Sequence, residues 1–258
     1  MKTLTTHPLS NVVDPLDLNK SWNKNGLKIE NANEFKMKGI LSKKLIEIEK
    51  LAWNAGSEDL LASEEKIQKR VEVFPEGVSI ATLKKGREIV PVGSQFCFLF
   101  DWDGDLNKLT SWDHLTNHGN IDVVHNVAGN TGFLVGVGVV PEFRNQRSTH
   151  NLRFIGEYKA SELLIAFTLD SLFDKGVKQV IANARIPFYH LMPGWGTPMC
   201  VDEYCKLREA NGKLFDPVLR FHERMGAKVI KPVAYSMDDP ESLNGGAWVL
   251  YERRFEGY

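Results

Sequence analysis

Apolar positions along the chain change their spacing from stretch to stretch, and each change marks an element. Between about 41 and 54, Leu45, Ile48, Leu51 and Ala52 recur three and four residues apart, as on one face of a helix. "SEEKIQKRVEVF" repeats that spacing at Ile67, Val71 and Phe74, with Ser63 where an N-cap belongs. "FPEG" reads as a turn. "VSIATLK", 78–84, and residues 89–100 then read as two strands joined by a hairpin at "KKGRE". "LTSWDHLTNHGN" predicts a short helix and its exit loop. "GFLVGVGVV", 132–140, is rich in Val and Gly, as a buried strand is. "GEYKASELLIAFTLDSLFDKG", 156–176, is apolar on most sides of a long helix that Gly176 ends. "VKQVIANAR" predicts the next strand, followed by a helix near 199–210, a short helix within 215–229, a strand near 227–234 and a last strand at "GAWVLYE".

In order, the main elements are helix–helix–strand–strand–strand–helix–strand–helix–strand–strand. That order predicts an α/β (α+β) fold, a mixed central sheet with helices on both faces. No linker cuts the chain, so one domain is expected over 39–258, behind a polar, Asn-rich arm at 1–38.

Composition narrows the function classes. The 32 Lys and Arg nearly balance the 33 Asp and Glu, and a net charge of −1 argues against nucleic acid as the partner. No apolar run is long enough to span a membrane, and the first twenty residues lack the apolar core of a secretory signal. Three cysteines, Cys97, Cys200 and Cys205, suit a reducing, cytoplasmic setting. Nothing in the sequence sets the oligomeric state.

Several stretches hint at chemistry. "DWDGDLNK", 101–108, suggests calcium, but the EF-hand positions for Gly and the closing carboxylate fall on Leu106 and Trp112, which leaves a solvated acidic turn. His114, His118 and His125 cluster without a Cys or carboxylate to complete a ligand set, so no metal is expected. Cys200 and Cys205 do not share a helix face, and nothing marks either as a nucleophile. Within 215–229, Asp216 suits the N-cap, Pro217 the first helical position and Gly226 the left-handed exit. Val218, Phe221 and Met225 then share a face, and His222 falls on it. An ionisable ring on an apolar face is either a satisfied core histidine or a proton carrier. Residues 133–167 run strand, basic loop, long helix. A helix N-terminus with Arg144, Arg147, Arg153 and Lys159 along its approach suits a phosphate, and a solvated basic loop would read the same way.

The same residues carry a resemblance. "VVPEFR" followed by a basic loop and a helix resembles the acyl-CoA motif of the GNAT superfamily of acyl-CoA-dependent acyltransferases, and His222 stands four residues before Gly226, where that family commonly has a tyrosine. "DPVLRFHERMGAKV" with "DDPESLNGGAWVLYE" is similar to the GNAT-like domains of polyketide loading modules, of the curacin synthase type. The resemblance implies an acyl-CoA co-substrate, acetyl-CoA or a related thioester. It would sit against the backbone of Val137 and Val139, with Arg144, Arg147, Arg153, Gly156, Lys159 and Ala160 at its phosphates. It implies that His222 and Asn183 are catalytic. Members of that branch that decarboxylate malonyl-CoA use a threonine and an arginine where this chain has Ala184 and Met237. The phosphate loop also departs: Arg147 stands where the family has Gly, and a shifted frame, Arg153 to Tyr158, ends in Tyr. Three readings follow: an acyltransferase acting on an amine or other nucleophile, a malonyl-CoA decarboxylase that loads a carrier protein, and a thioester-binding module without turnover. The acceptor is a small molecule or a carrier protein.

Overall fold

The structure is a computed structural model and describes residues 27–35, 38–53, 61–144, 159–195 and 199–253. Strands β1 (Leu27–Asn31), β2 (Val78–Lys85), β3 (Glu88–Phe100), β4 (Thr131–Val139), β5 (Gln179–Arg185), β6 (Lys228–Val233) and β7 (Gly246–Glu252) form one sheet in the order β1-β2-β3-β4-β5-β7-β6. Only β4 and β5 run parallel; every other neighbour is antiparallel. The helices are α1 (Lys38–Trp53), α2 (Glu64–Val73), α3 (Trp112–Thr116), α4 (Ala160–Asp174), α5 (Val201–Lys206) and α6 (Pro217–Arg224). Both faces of the mixed sheet carry helices, as the order of patterns predicts.

Local chemistry sets the ends of these elements. Ser63 Oγ accepts from Lys66 N at 3.2 Å and starts α2. Gly86, at φ +62°, turns β2 into β3. Ser111 caps α3, and the chain leaves it through Asn117, His118 and Gly119, all at positive φ. Asp216 Oδ1 accepts from Val218 N and Leu219 N at the start of α6, while its Oδ2 accepts from Tyr204 O–H at 2.8 Å.

The glycines of the sheet mark its two layers. A Cβ on Gly132 would stand 2.8 Å from Leu172, and one on Gly93 3.0 Å from Leu164, because α4 lies directly on that face. On the other face, a Cβ on Gly138 would stand 3.1 Å from Ala52 of α1. Tyr251 pairs with Val180, which also neighbours the Gly132 position, so α6, bonded to Tyr251 through His222, lies on the α4 side. The opposite face of β3, β4, β5 and β7 packs Phe98, Phe133, Ile181 and Trp248 against Trp102, Leu109 and Ile121.

Four expectations need correction. The expected arm, 1–38, contributes β1: Leu27 and Ile29 alternate with Lys28 and Glu30, pair with β2 and are buried, so the folded unit begins by Leu27; residues 1–26 lie outside the described residues. The long helix starts at Ala160 rather than near 156, with Lys159 as its cap. On α6 the buried positions are Leu219 and His222, with Met225 just beyond, while Val218 and Phe221 are half-buried and line a cleft. The helix near 199–210 is shorter, Val201–Lys206.

Candidate active site

The parallel pair is short. β4 and β5 stay in register from Thr131↔Gln179 to Leu134↔Ala182 and then part, β4 following β3 and β5 following β7. A bulge at the level of Val135, between Leu134 and Gly136, begins the divergence. Val140 N donates to Val92 O at 2.9 Å, so in the alternating antiparallel pattern Val139 and Val137 turn both backbone groups away from β3, into the gap. Arg144 Nε takes Val139 O at 2.8 Å and Trp112 Nε1 takes Val135 O at 3.1 Å. Between them Val137 has no recorded partner on that side among the described residues. An extended amide chain fits such a bare edge as an added strand.

The gap opens into a cleft of about 940 Å³. Its walls include the end of α1, one side of α2, Gln95 and Phe96 of β3, β4 beyond Leu134, the start of α4, Ala182–Arg185, α6, and Tyr235, Met237 and Asp238. His222 and Asn183 both face it.

His222 is 7% exposed, and its Nδ1 lies 2.6 Å from Tyr251 Oη. Burial pushes the imidazole down to about 4, so the ring is neutral at pH 7. Burial also drives Tyr251 upward, which keeps its hydroxyl protonated and able to donate to Nδ1. That bond leaves the cleft to Nε2. Asn183 Oδ1 accepts from Ser236 Oγ at 2.6 Å, whereas its Nδ2 is buried without a partner. Arg185 is held by both carboxylate oxygens of Asp239, at 2.7 Å each, and by Glu241, and stands over Trp53.

At the expected phosphate end the described residues are few. Arg147, Arg153 and Gly156 lie outside them. Arg144 is committed to the carbonyls of Val139 and Ala52, joining the end of β4 to the end of α1. Lys159 N donates to Glu162 Oε2 at 2.8 Å, Glu162 also pairs with Arg224, and Ala160 is buried in the first turn of α4. The histidines that cluster in sequence have separate partners: His114 Nδ1 bonds Thr110 Oγ1, His118 stands 3.7 Å from Asp113, and His125 accepts from Leu99 N and stacks on Phe74. Cys205 is buried and pushed up to about 12 by burial, which leaves it an inert thiol.

Arg70, Gln95, Glu49 and Tyr251 also belong to the site or its support, and sequence reasoning missed them. Arg70 carried a usable signal. It falls three residues after Ile67 and four before Phe74, a charge on the buried face, as His222 is.

No family model matches the chain. It is 28% identical over 198 residues to the uncharacterized N-acetyltransferase YkwB of Bacillus subtilis (strain 168), covering 77% of this chain and 78% of that one. It is similar to the crystal structure of the loading GNATL domain of CurA from Lyngbya majuscula, at 26% identity and a TM-score of 0.66 over 88% of this chain and 98% of that one. The GphF GNAT-like decarboxylase, solved with isobutyryl-CoA, shares the fold at 21% identity and a TM-score of 0.63 over 88% and 99%. A sheet parted after one short parallel pair, in a chain with these relatives, has the GNAT fold, and the chain is similar to the loading domains and to the N-acetyltransferase that share it.

Proposed function

We propose that the chain transfers an acetyl or similar acyl group from CoA to an amine or another small nucleophile. The observation that carries this reading is the neutral, buried His222 facing the gap between β4 and β5. Pantetheine pairs with the open backbone at Val137, and the thioester reaches the cleft. The acceptor nitrogen attacks the acyl carbon and loses a proton to the free nitrogen of His222. The C–S bond then breaks, and the thiolate leaves with that proton. A depressed pKa leaves the resting ring unprotonated, so it accepts a proton before it can donate one, and Tyr251 fixes which nitrogen does so. The Nδ2 group of Asn183 is an unspent buried donor, available to the oxygen that gains charge at the tetrahedral stage. The phosphates are assigned to Arg147, Arg153, Gly156 and Lys159, ahead of Ala160 in sequence.

Loading of a carrier protein after malonyl-CoA decarboxylation is the second reading, which the two solved neighbours favour. Ala184 and Met237 weigh against it, since both line the cleft and neither offers a donor to an enolate. Mass spectrometry after incubation with acetyl-CoA and with malonyl-CoA, with and without a carrier protein, tests the choice. Acetylated small amines are expected. Rapid carbon dioxide release from malonyl-CoA with a loaded carrier would promote the second reading, and CoA binding without turnover of either donor would promote a thioester-binding module.

A further inference from the structure

The cleft passes through the sheet to the α1 side. There α2 lays the Arg70 guanidinium 4.9 Å from the centroid of Phe96. Phe96 pairs with Gly136, on the same face as Gly138 and Ala52, opposite α4 and His222. Arg70 is 5% exposed and lines the cleft, yet its hydrogen bonds are few: Nη2 reaches Gly119 O at 3.2 Å, and Nε is buried with no partner. Among the described residues no carboxylate stands within ion-pair distance of it. Burial lowers its pKa to about 10, against a smaller opposing effect of the Glu49 charge, so it is still a cation at neutral pH. One structural duty is visible. With Lys66, whose Nζ binds His118 O at 2.7 Å, Arg70 pins the left-handed turn at 117–119. That duty uses one of five N–H groups and supplies no counter-charge.

Buried charges are normally paired, and a guanidinium matches the planar fork of a carboxylate. A phosphate dianion fits worse, because Glu49 and Asp113 line the same cleft. The acyl donor has the α4 side and the open edge of β4, which leaves the α1 side to the other substrate. Resting on the acyl-CoA reading above, we propose that Arg70 anchors a carboxylate of the acceptor, so that the acceptor is a carboxylate-bearing amine of the amino-acid class.

The test uses the whole chain saturated with CoA and matched acid–amide pairs as probes: the natural amino acids and β-alanine, each beside its carboxamide, followed by thermal shift and calorimetry. At least one acid is expected to bind about 10–100-fold tighter than its amide, the usual worth of hydrogen bonds to a charged group. Arg70→Met should erase that preference while CoA still binds, and Arg70→Lys, which keeps the charge and loses the fork, should weaken it several-fold. Should the Met variant not fold, the acid–amide contrast in wild type and its reduction in Arg70→Lys decide the question. Equal binding of every acid and its amide, or a preference that survives in Arg70→Met, overturns the proposal. A malonyl-CoA affinity above that of acetyl-CoA that depends on Arg70 also overturns it, by giving the carboxylate to the donor. Failure of CoA itself to bind wild type is a different result and removes the underlying reading.

Discussion

His222 owes its chemistry to two neighbours, the apolar burial that holds it neutral and the Tyr251 hydroxyl that occupies Nδ1. Its folded pKa, about 4, lies below the ordinary 6.5, so between those values the unfolded chain binds the extra proton. Stability from this group is present above pH 6.5 and is lost as the pH falls toward 4. His222→Phe keeps the ring and removes the titration. Its melting temperature should fall less than that of wild type between pH 7 and about pH 5, and its turnover should drop by roughly 10²–10⁴. A variant that keeps its rate per folded molecule would make His222 a core residue only. Tyr251→Phe frees Nδ1 and leaves the tautomer unset, so kcat should fall about tenfold with KM for CoA unchanged. An equal change in both would assign Tyr251 to packing. His222 was legible because its place on a helix face can be counted, whereas the role expected of Asn183 came from the family resemblance alone. The sequence missed Tyr251, whose role depends on β7 lying beside β5.

At the scale of the element, α6 was the most legible part of the chain and α4 the less so. Asp216, Pro217 and Gly226 act within a few residues of one another, and local chemistry is what a linear sequence displays. The face of α6 was read one position off because Val218 and Phe221 are apolar for the sake of a cleft rather than a core. The first turn of α4 has no Ser, Thr, Asp or Asn cap to announce it. Asp216 does more than cap, since Tyr204 and the backbone of Phe188 also donate to it. Asp216→Ala should therefore cost about 2–3 kcal/mol, above a simple cap, because it also strands the Tyr204 hydroxyl. Urea unfolding checks this, and a loss under about 0.5 kcal/mol would mean that the helix holds its place without the aspartate.

Across the whole molecule, the mixed sheet and its covered faces followed from the order of patterns, whereas its first strand and its parting did not. β1 is five residues long and borrows its stability from β2, so its alternation is too brief to stand out from a polar stretch. Ile29→Ala should cost about 2 kcal/mol or more, as buried Ile truncations do, and a loss near zero would return the segment to a loose arm. The parting of β4 and β5 arises where two ladders with other strands diverge, and no run of residues encodes it alone. Arg144 adds a mechanical consequence. By grasping a carbonyl at the end of α1 and another at the end of β4, it clasps the two together at the rim of the cleft. That clasped rim stands across the cleft from α6 and His222, so the two walls of the cleft are fastened by different means, a guanidinium on two carbonyls on one side and the Asp216 carboxylate on the other.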